Sequence, residues 1–265
     1  MQPNRFLFLR TKDLLMNTNT TILSLKREVF TTETVILRQY VDQRRTFFLF
    51  KRLIDIIISS FILVFVLSWL VPVCAILIKM NSRGPVFFVQ RRVGLGGRSF
   101  NCFKFRTMIV NRDANKKQAQ ENDSRITVIG DFLRKSNLDE FPQFLNVLIG
   151  NMSVVGPRPH MHVDCNQFSS LVPEYKFRNM VKPGITGLAQ VKGFRGPTKD
   201  FESIFHRYQF DAFYIRNANI WLDMRIVRQT AVQTLKSLVD RFKSTTDNST
   251  PVYRKWALAF RSLII

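Results

Sequence analysis

Acidic residues are scarce in this sequence. Nineteen Asp+Glu stand against 40 Lys+Arg in 265 residues, a formal charge of +21. That excludes an acidic disordered tail and points to polyanionic partners: nucleic acid, an anionic membrane surface or a phosphorylated substrate. Cysteine is scarcer still. Cys74, Cys102 and Cys165 are too few and too scattered to staple a disulfide-rich mini-protein. No CxxC pair or Cys/His cluster has zinc spacing, and His160, His162 and His206 read as incidental. No internal repeat and no complete P-loop are present. The first 50 residues hold no apolar run that would serve as a secretory signal core, so no cleaved signal peptide is expected. Residues 1–50 read as an N-terminal extension without an assigned role, with weak helical periodicity over Thr21–Val41.

The clearest positive feature is a charge-free run. Ile56–Ile78 is 23 residues of almost uniformly apolar character. As a helix rising ~1.5 Å per residue it reaches about 35 Å, enough to cross a hydrocarbon core of ~30 Å. Both flanks are basic: Arg44, Arg45, Lys51 and Arg52 before it, Lys79, Arg83, Arg91 and Arg92 after it. The positive-inside rule therefore assigns both ends to the same side. Pro72 offers a place to turn back, because it lacks the N–H that would bond the Ser68 carbonyl. Ser68 is placed to re-satisfy the opened backbone. A re-entrant helix-break-helix over 51–80 is the favoured reading, and a kinked helix that simply spans is its competitor.

Residues 79–112 continue with eight Lys/Arg and no Asp/Glu, interleaved with apolar residues and punctuated by Gly94, Gly96 and Gly97. This reads as a β-hairpin on an anionic membrane surface, where each basic side chain is worth ~1 kcal/mol. Residues 113–125 read as an exposed polar loop or helix, and 126–150 as helical. Asn151–Gly196, rich in Gly and Pro, reads as mostly loops with short extended pieces. Residues 200–240 return to helical patterns, with an amphipathic stripe from Trp221 to Val239. The tail 243–265 ends in a mixed aromatic and basic segment that suits an interfacial helix. The fold class expected is α+β: the membrane helix-break-helix, then a small, mostly helical catalytic domain over 81–242 with a β-hairpin and Gly/Pro-rich loops.

Against so basic a background, Leu138-Asp139-Glu140 stands out. Pro142 favours a helix start just after the pair, which places both carboxylates at a helix N-terminus. An ordinary helix cap accounts for such a pair as well as a nucleophile or a metal ligand does. In Gly156-Pro157-Arg158-Pro159 two prolines hold an arginine suited to bidentate phosphate binding. The amides of Lys182-Pro183-Gly184-Ile185-Thr186-Gly187, with the Lys182 amine and Thr186 hydroxyl, form a further candidate phosphate contact. Lys104, Arg106 and Arg134 add cations. Carboxylates among cations and Gly/Pro loops suit phosphoryl transfer, where positioning and charge neutralisation supply most of the catalysis.

At these residues the chain resembles the bacterial monotopic phosphoglycosyl transferases, or polyprenyl-phosphate sugar-1-phosphate transferases. The matching pieces are KRLIDIIIS, GPVFFVQRRVG, FKFRTM, RKSNLDEFPQFLNVLIGNMSVVGPRP, KPGITGLAQV and WLDM, in order over roughly 51–240. The resemblance implies transfer of sugar-1-phosphate from a UDP-sugar to undecaprenyl phosphate with release of UMP. It implies Asp139 as nucleophile, through a covalent phospho-sugar intermediate, and Glu140 as its assistant in placing Mg²⁺. It implies Lys104, Arg134 and Arg158 as phosphate ligands or site-ordering cations, and it marks Asp223 of WLDM as a characteristic acidic position. It also implies a bacterial inner-membrane location, with the catalytic domain on the cytoplasmic face, and a place at the initiation of a capsule, exopolysaccharide or O-antigen. Two departures stand out. Asn151 follows Gly150 where the family often has Asp, and Val71 precedes Pro72 where it often has Ser. With one apolar segment the chain looks like the short form of the family.

Two other readings compete: a catalytically inactive membrane scaffold, and a membrane-tethered nucleic-acid binder. No helix-turn-helix, RNP-type or zinc-finger signature supports the second, so no nucleic-acid partner is expected. The expected partners are the UDP-sugar, undecaprenyl phosphate and anionic lipids, with a homodimer left open. Sugar selectivity is expected in loop residues 192–206.

Overall fold

The structure is a computed structural model, and it describes residues 39, 41–110, 123–196 and 200–246. The chain divides into Met1–Arg44 and a second unit from Arg45 onward. Nearly all of the expected helix over Thr21–Val41, most of the loop 113–125 and the terminal segment past Thr246 lie outside the described residues.

The second unit opens with the apolar segment. Helix α1 (Arg45–Ile62) passes through a π-helical turn, Leu63–Leu67, into α2 (Ser68–Asn81). Together, Arg45–Asn81 is the one helix among the described residues long and apolar enough to cross a membrane. The helix continues through Ser68 and Pro72, where the kink was expected, and its departure from α-helical geometry is the π-helical turn one turn before Pro72. A missing N–H and a crowding ring are absorbed upstream as a widened turn, which opens directly onto Ser68.

One stripe of this segment is buried along its whole length. Lys51, Asp55 and Ser59 occupy it on α1, then Leu67, Leu70, Cys74 and Ile78. The spacing of three, four or eight residues keeps them on one helical face. The apolar half of the stripe packs on Phe105 and Leu133, with Phe132, Phe141 and Phe144 around them. Ile57, Phe61, Val64, Phe65, Trp69, Val73 and Ile76 face outward. Both ends are tied to the domain by polar contacts. Arg52 donates to the carbonyls of Val147 and Leu148 at 2.6 and 2.9 Å. At the other end Arg106 donates to the carbonyls of Ser82 and Arg83, both at 2.8 Å, satisfying the C-terminus of α2.

The expected hairpin follows. Strand β1 (Phe87–Val93) pairs antiparallel with β2 (Ser99–Phe105), Phe87 opposite Phe105. The turn uses positive φ at Gly96 (64°) and Gly97 (79°). Helix α3 (Val128–Lys135) is capped by the Thr127 hydroxyl, which accepts from the Gly130 N–H at 3.0 Å. A 3₁₀ turn, Leu138–Glu140, leads into α4 (Gln143–Ile149).

A second, parallel pair joins β3 (Ser153–Val155) to β4 (Gly184–Thr186). Between them the chain is more helical than its Gly/Pro content suggests: α5 (His162–Leu171), then 3₁₀ turns over Pro173–Met180. The reason is local. The glycines and prolines of this region flank 160–172, which contains neither. After β4 come the short α6 (Leu188–Val191), α7 (Phe201–Asn217) and α8 (Ile220–Thr246). Cys74, Cys102 and Cys165 are buried and unpaired.

Candidate active site

Asp139 and Glu140 sit in the 3₁₀ turn that precedes α4, and both are buried. Asn137 sets up that turn. It holds a left-handed conformation (φ 61°) and is the only described non-glycine residue with positive φ. Its side-chain amide donates to Thr234 Oγ1 at 2.9 Å, which anchors the turn to α8. Behind the pair, the buried Asn146 of α4 accepts from the Phe103 N–H (3.0 Å) and donates to the Asn101 carbonyl (2.7 Å). The carboxylates are thereby held in register with β2, which carries Lys104.

Three cations converge on Glu140. Lys104 Nζ lies 2.8 Å from Oε1. Arg158 reaches both oxygens, at 2.7 and 3.2 Å, and Arg195 reaches Oε2 at 3.3 Å. Burial alone would push the Glu140 carboxyl up, but Arg158, Lys104 and Arg195 together hold it well below the usual carboxylate range. Asp139 differs from its neighbour. No described side chain or backbone N–H donates to its carboxylate, and burial pushes its pKa up, with Lys104 opposing and Glu140 adding to the rise. One carboxylate is thus locked as an anion while the other is left unengaged beside it.

The pair opens onto a cavity of about 600 Å³. Its cationic wall is formed by Arg92, Lys104, Arg134, Arg158, Arg195 and Arg207. Pro85, Phe87, Met108, Ile109 and Val110 add an apolar part to the lining. Those residues follow the membrane segment closely in sequence, and Phe87, Ile109 and Val110 are exposed.

The structure therefore brings Lys104, Arg134, Asp139, Glu140 and Arg158 to one cavity. Lys182, Gly184, Thr186 and Asp223 lie outside its lining. The Gly184 N–H donates to the Pro157 carbonyl at 2.9 Å. The Thr186 carbonyl accepts from the Gly156 N–H at 2.8 Å, and its hydroxyl meets that of Thr230 at 2.6 Å. A Cβ on Gly184 would stand 2.1 Å from Gly156 N, so the glycine serves the close approach of two backbones. Lys182 stands near Arg52, beneath α1. Asp223 accepts from Lys51 of α1 and from the Tyr214 hydroxyl (2.8 Å), which ties α8 and α7 to the membrane segment. Asn151 sits at the C-terminal turn of α4, also outside the cavity lining, where its N–H donates to the Asn146 carbonyl.

Arg195 is a site residue that sequence reasoning did not single out. Its setting, Gly-Phe-Arg-Gly-Pro, repeats the Gly/Pro-framed arginine of Gly-Pro-Arg-Pro, and that parallel was the available signal. His160, read as incidental, lines the cavity. The buried Lys51 and Asp55 were hidden as well. Asp55 accepts from the Val154 N–H at 2.9 Å, holding α1 to β3.

Both oxygens of Glu140 are taken by Lys104, Arg158 and Arg195, which leaves Asp139 as the carboxylate open to the expected Mg²⁺. Asp139 presents oxygens that no described donor takes, and Mg²⁺ is ordinarily held by one or two carboxylates with substrate phosphates and water completing the shell. No third His, Cys, Asp or Glu joins the pair among the described residues.

Residues 46–237 match the family described as bacterial sugar transferase. A Klebsiella pneumoniae UDP-glucose:undecaprenyl-phosphate glucose-1-phosphate transferase is 50% identical over 179 residues, 67% of this chain and 38% of the relative. A protein of the same name from Xanthomonas campestris is 48% identical over 197 residues, 74% of this chain and 40% of the relative. An Aeromonas hydrophila UDP-N-acetylgalactosamine-undecaprenyl-phosphate N-acetylgalactosaminephosphotransferase is 42% identical over 181 residues, 68% and 42%. The matched region spans about two fifths of the length of each of these relatives.

Proposed function

The chain belongs to the bacterial sugar transferase family, and from that premise we propose that it transfers sugar-1-phosphate from a UDP-sugar to undecaprenyl phosphate. The observation that carries this is the contrast within the carboxylate pair: Glu140 engaged by three cations, Asp139 without a donor among the described residues, both facing one cavity. An Asp139 oxygen attacks the sugar-bearing β-phosphorus. The bond from that phosphorus to the bridging oxygen breaks, and UMP leaves with the electron pair. A phosphate oxygen of undecaprenyl phosphate then attacks the same phosphorus, the aspartyl O–P bond breaks, and the carboxylate is regenerated.

Glu140 does not react. Its single negative charge offsets one of the three positive charges of Lys104, Arg158 and Arg195, and it fixes their donors where the diphosphate oxygens develop charge. Arg134, which lines the cavity and whose charge acts on Asp139 without forming an ion pair among the described residues, meets a phosphate oxygen. Asp139 would hold Mg²⁺ through an oxygen that no described donor takes, with substrate phosphates and water completing the shell, and the ion would supply further charge neutralisation on the diphosphate. The apolar part of the lining, from Pro85 to Val110, receives the first isoprene units of the acceptor. The reaction begins a surface polysaccharide. Relatives named for glucose and for N-acetylgalactosamine leave the sugar to residues 192–206, which are not all loop, since α7 begins at Phe201, and of which Arg195 and Gly196 line the cavity.

UMP release from a panel of UDP-sugars, with undecaprenyl phosphate and Mg²⁺, tests the reading. One donor should give release; no release with any donor, from folded membrane-inserted protein, would contradict it. The same assay carries a pH prediction. Asp139 must be ionised to attack, and its pKa is raised by burial. The rate therefore falls on acidification from a pH above the ~3.9 of a free aspartate. A rate that holds down to pH 4 would show that Asp139 is not the group that must ionise.

We place the catalytic domain on the cytoplasmic face of the inner membrane, with Arg45–Asn81 entering and leaving on that side. The support is the buried stripe. Both ends of the segment and its middle pack on one domain that carries a highly charged cavity. A perpendicular span would pull that domain into hydrocarbon, where unpaired charges are prohibitive. Cysteines introduced at the exposed Arg45 and Arg83 should react with a membrane-impermeant thiol reagent from the same side of oriented vesicles. Labelling from opposite sides would establish a span.

A further inference from the structure

The loop that presents Arg158 lacks the means to hold itself. Residues 157 and 159 are prolines, so two of its amides are missing. Its carbonyls are pinned one by one from outside instead. Gly184 N donates to Pro157 (2.9 Å), Arg178 Nη2 to Arg158 (2.7 Å), Arg92 Nη1 to Pro159 (2.6 Å) and Val93 N to His160 (2.9 Å). Two of these donors are strand amides and one, Arg92, belongs to the cavity wall.

Arg178 is of another kind. It stands behind the cavity, outside its lining, and is 3% exposed. Its guanidinium is committed on every side. Nε and Nη2 meet Asp211 Oδ2 at 3.1 and 2.7 Å, Nη1 donates to the Tyr175 hydroxyl at 3.1 Å, and the group lies 5.0 Å from the Tyr175 ring centroid. Asp211, on α7, is 1% exposed. A buried ion pair of this kind adds little net stability over apolar residues of the same shape, because desolvation of both charges offsets their attraction. What it adds is a fixed direction. The planar fork is aimed at Arg158 O with the remaining donors already spent.

We propose that Arg178, clamped by Asp211, is a positioning residue for the transfer: it fixes the Arg158 backbone so that the Arg158 guanidinium reaches Glu140 and the donor diphosphate. The proposal rests on the reading of the cavity as the donor site. Arg178 touches no substrate and acts only through Arg158.

That dependence is measurable in a double-mutant cycle. Arg178→Lys keeps the charge and loses the fork. It should slow UMP release about tenfold and weaken UDP binding in the wild-type background. In an Arg158→Lys background the same change should alter either quantity less than twofold, because the group being positioned is gone. An Arg178→Lys loss of equal size in both backgrounds would assign Arg178 to general stability and overturn the proposal, as would a folded Arg178→Lys protein with wild-type rate and affinity. If Arg178→Lys fails to fold, Tyr175→Phe removes one acceptor, keeps the ring, and enters the same cycle with a smaller effect of the same pattern. Reading the cycle on UDP affinity as well as turnover separates the two claims. A protein that binds UDP but releases no UMP refutes the reaction and still tests the relay.

Discussion

Asp139→Asn abolishes UMP release, by at least about a thousandfold, and leaves the fold unchanged. The size follows from the role: an amide is no nucleophile, and of the other carboxylates lining the cavity Asp164 comes from α5 rather than from the 3₁₀ turn, while Glu140 is spent on cations. Glu140 is already engaged by Lys104, Arg158 and Arg195 and held well below the usual carboxylate range. The unchanged fold follows from geometry. No described donor bonds the Asp139 carboxylate, so the isosteric amide loses no hydrogen bond. Thermal unfolding of the variant should match wild type within a degree or two. Undiminished release from Asp139→Asn would remove the nucleophile from the account. Wild-type protein that binds donor but never turns over would favour the inactive scaffold.

Lys51→Met has the largest expected effect on stability. Lys51 and Asp223 form a contact nearly closed to solvent between α1 and α8, with side chains 9% exposed on each side. Removing the cation leaves the Asp223 carboxylate buried with the Tyr214 hydroxyl as its only side-chain donor among the described residues. Breaking a buried pair from one side costs about 3–5 kcal/mol, which for a domain of this size lowers the melting temperature by about 6–20 °C. Replacing both partners by apolar residues, Lys51→Met with Asp223→Leu, should recover most of that loss. A single variant that melts with wild type would show that the pair does not anchor the membrane segment. The same contact explains why Asp223 lies away from the cavity, although its motif marks it as characteristic.

Features written in local pattern were legible in the sequence. The 23-residue apolar run, the hairpin punctuated by Gly96 and Gly97, and the helix start after Pro142 each follow from composition and spacing. The grouping of Lys104, Asp139, Glu140 and Arg158 is also found in the structure, at one cavity. What stayed hidden depends on pairings far apart in sequence. Lys51 finds Asp223 across 172 residues, and Arg195 finds Glu140 across 55. Asp55 lies within KRLIDIIIS and reads as an edge of the apolar run, yet it is buried against the Val154 amide. The resemblance implied different roles for Asp139 and Glu140, but that Lys104, Arg158 and Arg195 all reach Glu140 was not readable, because it depends on contacts between distant segments. The parallel pairing of β3 with β4 through backbone contacts at Gly156 and Gly184 leaves no trace in hydrophobic period.

The most direct test of the central claim is intact-protein mass spectrometry after mixing the protein with its UDP-sugar donor and no acceptor. The account predicts a mass increase of one sugar-phosphate on wild type, located to Asp139, absent from Asp139→Asn and discharged when undecaprenyl phosphate is added. UMP release with acceptor present but no such adduct at any time, or an adduct that persists in Asp139→Asn, would contradict it.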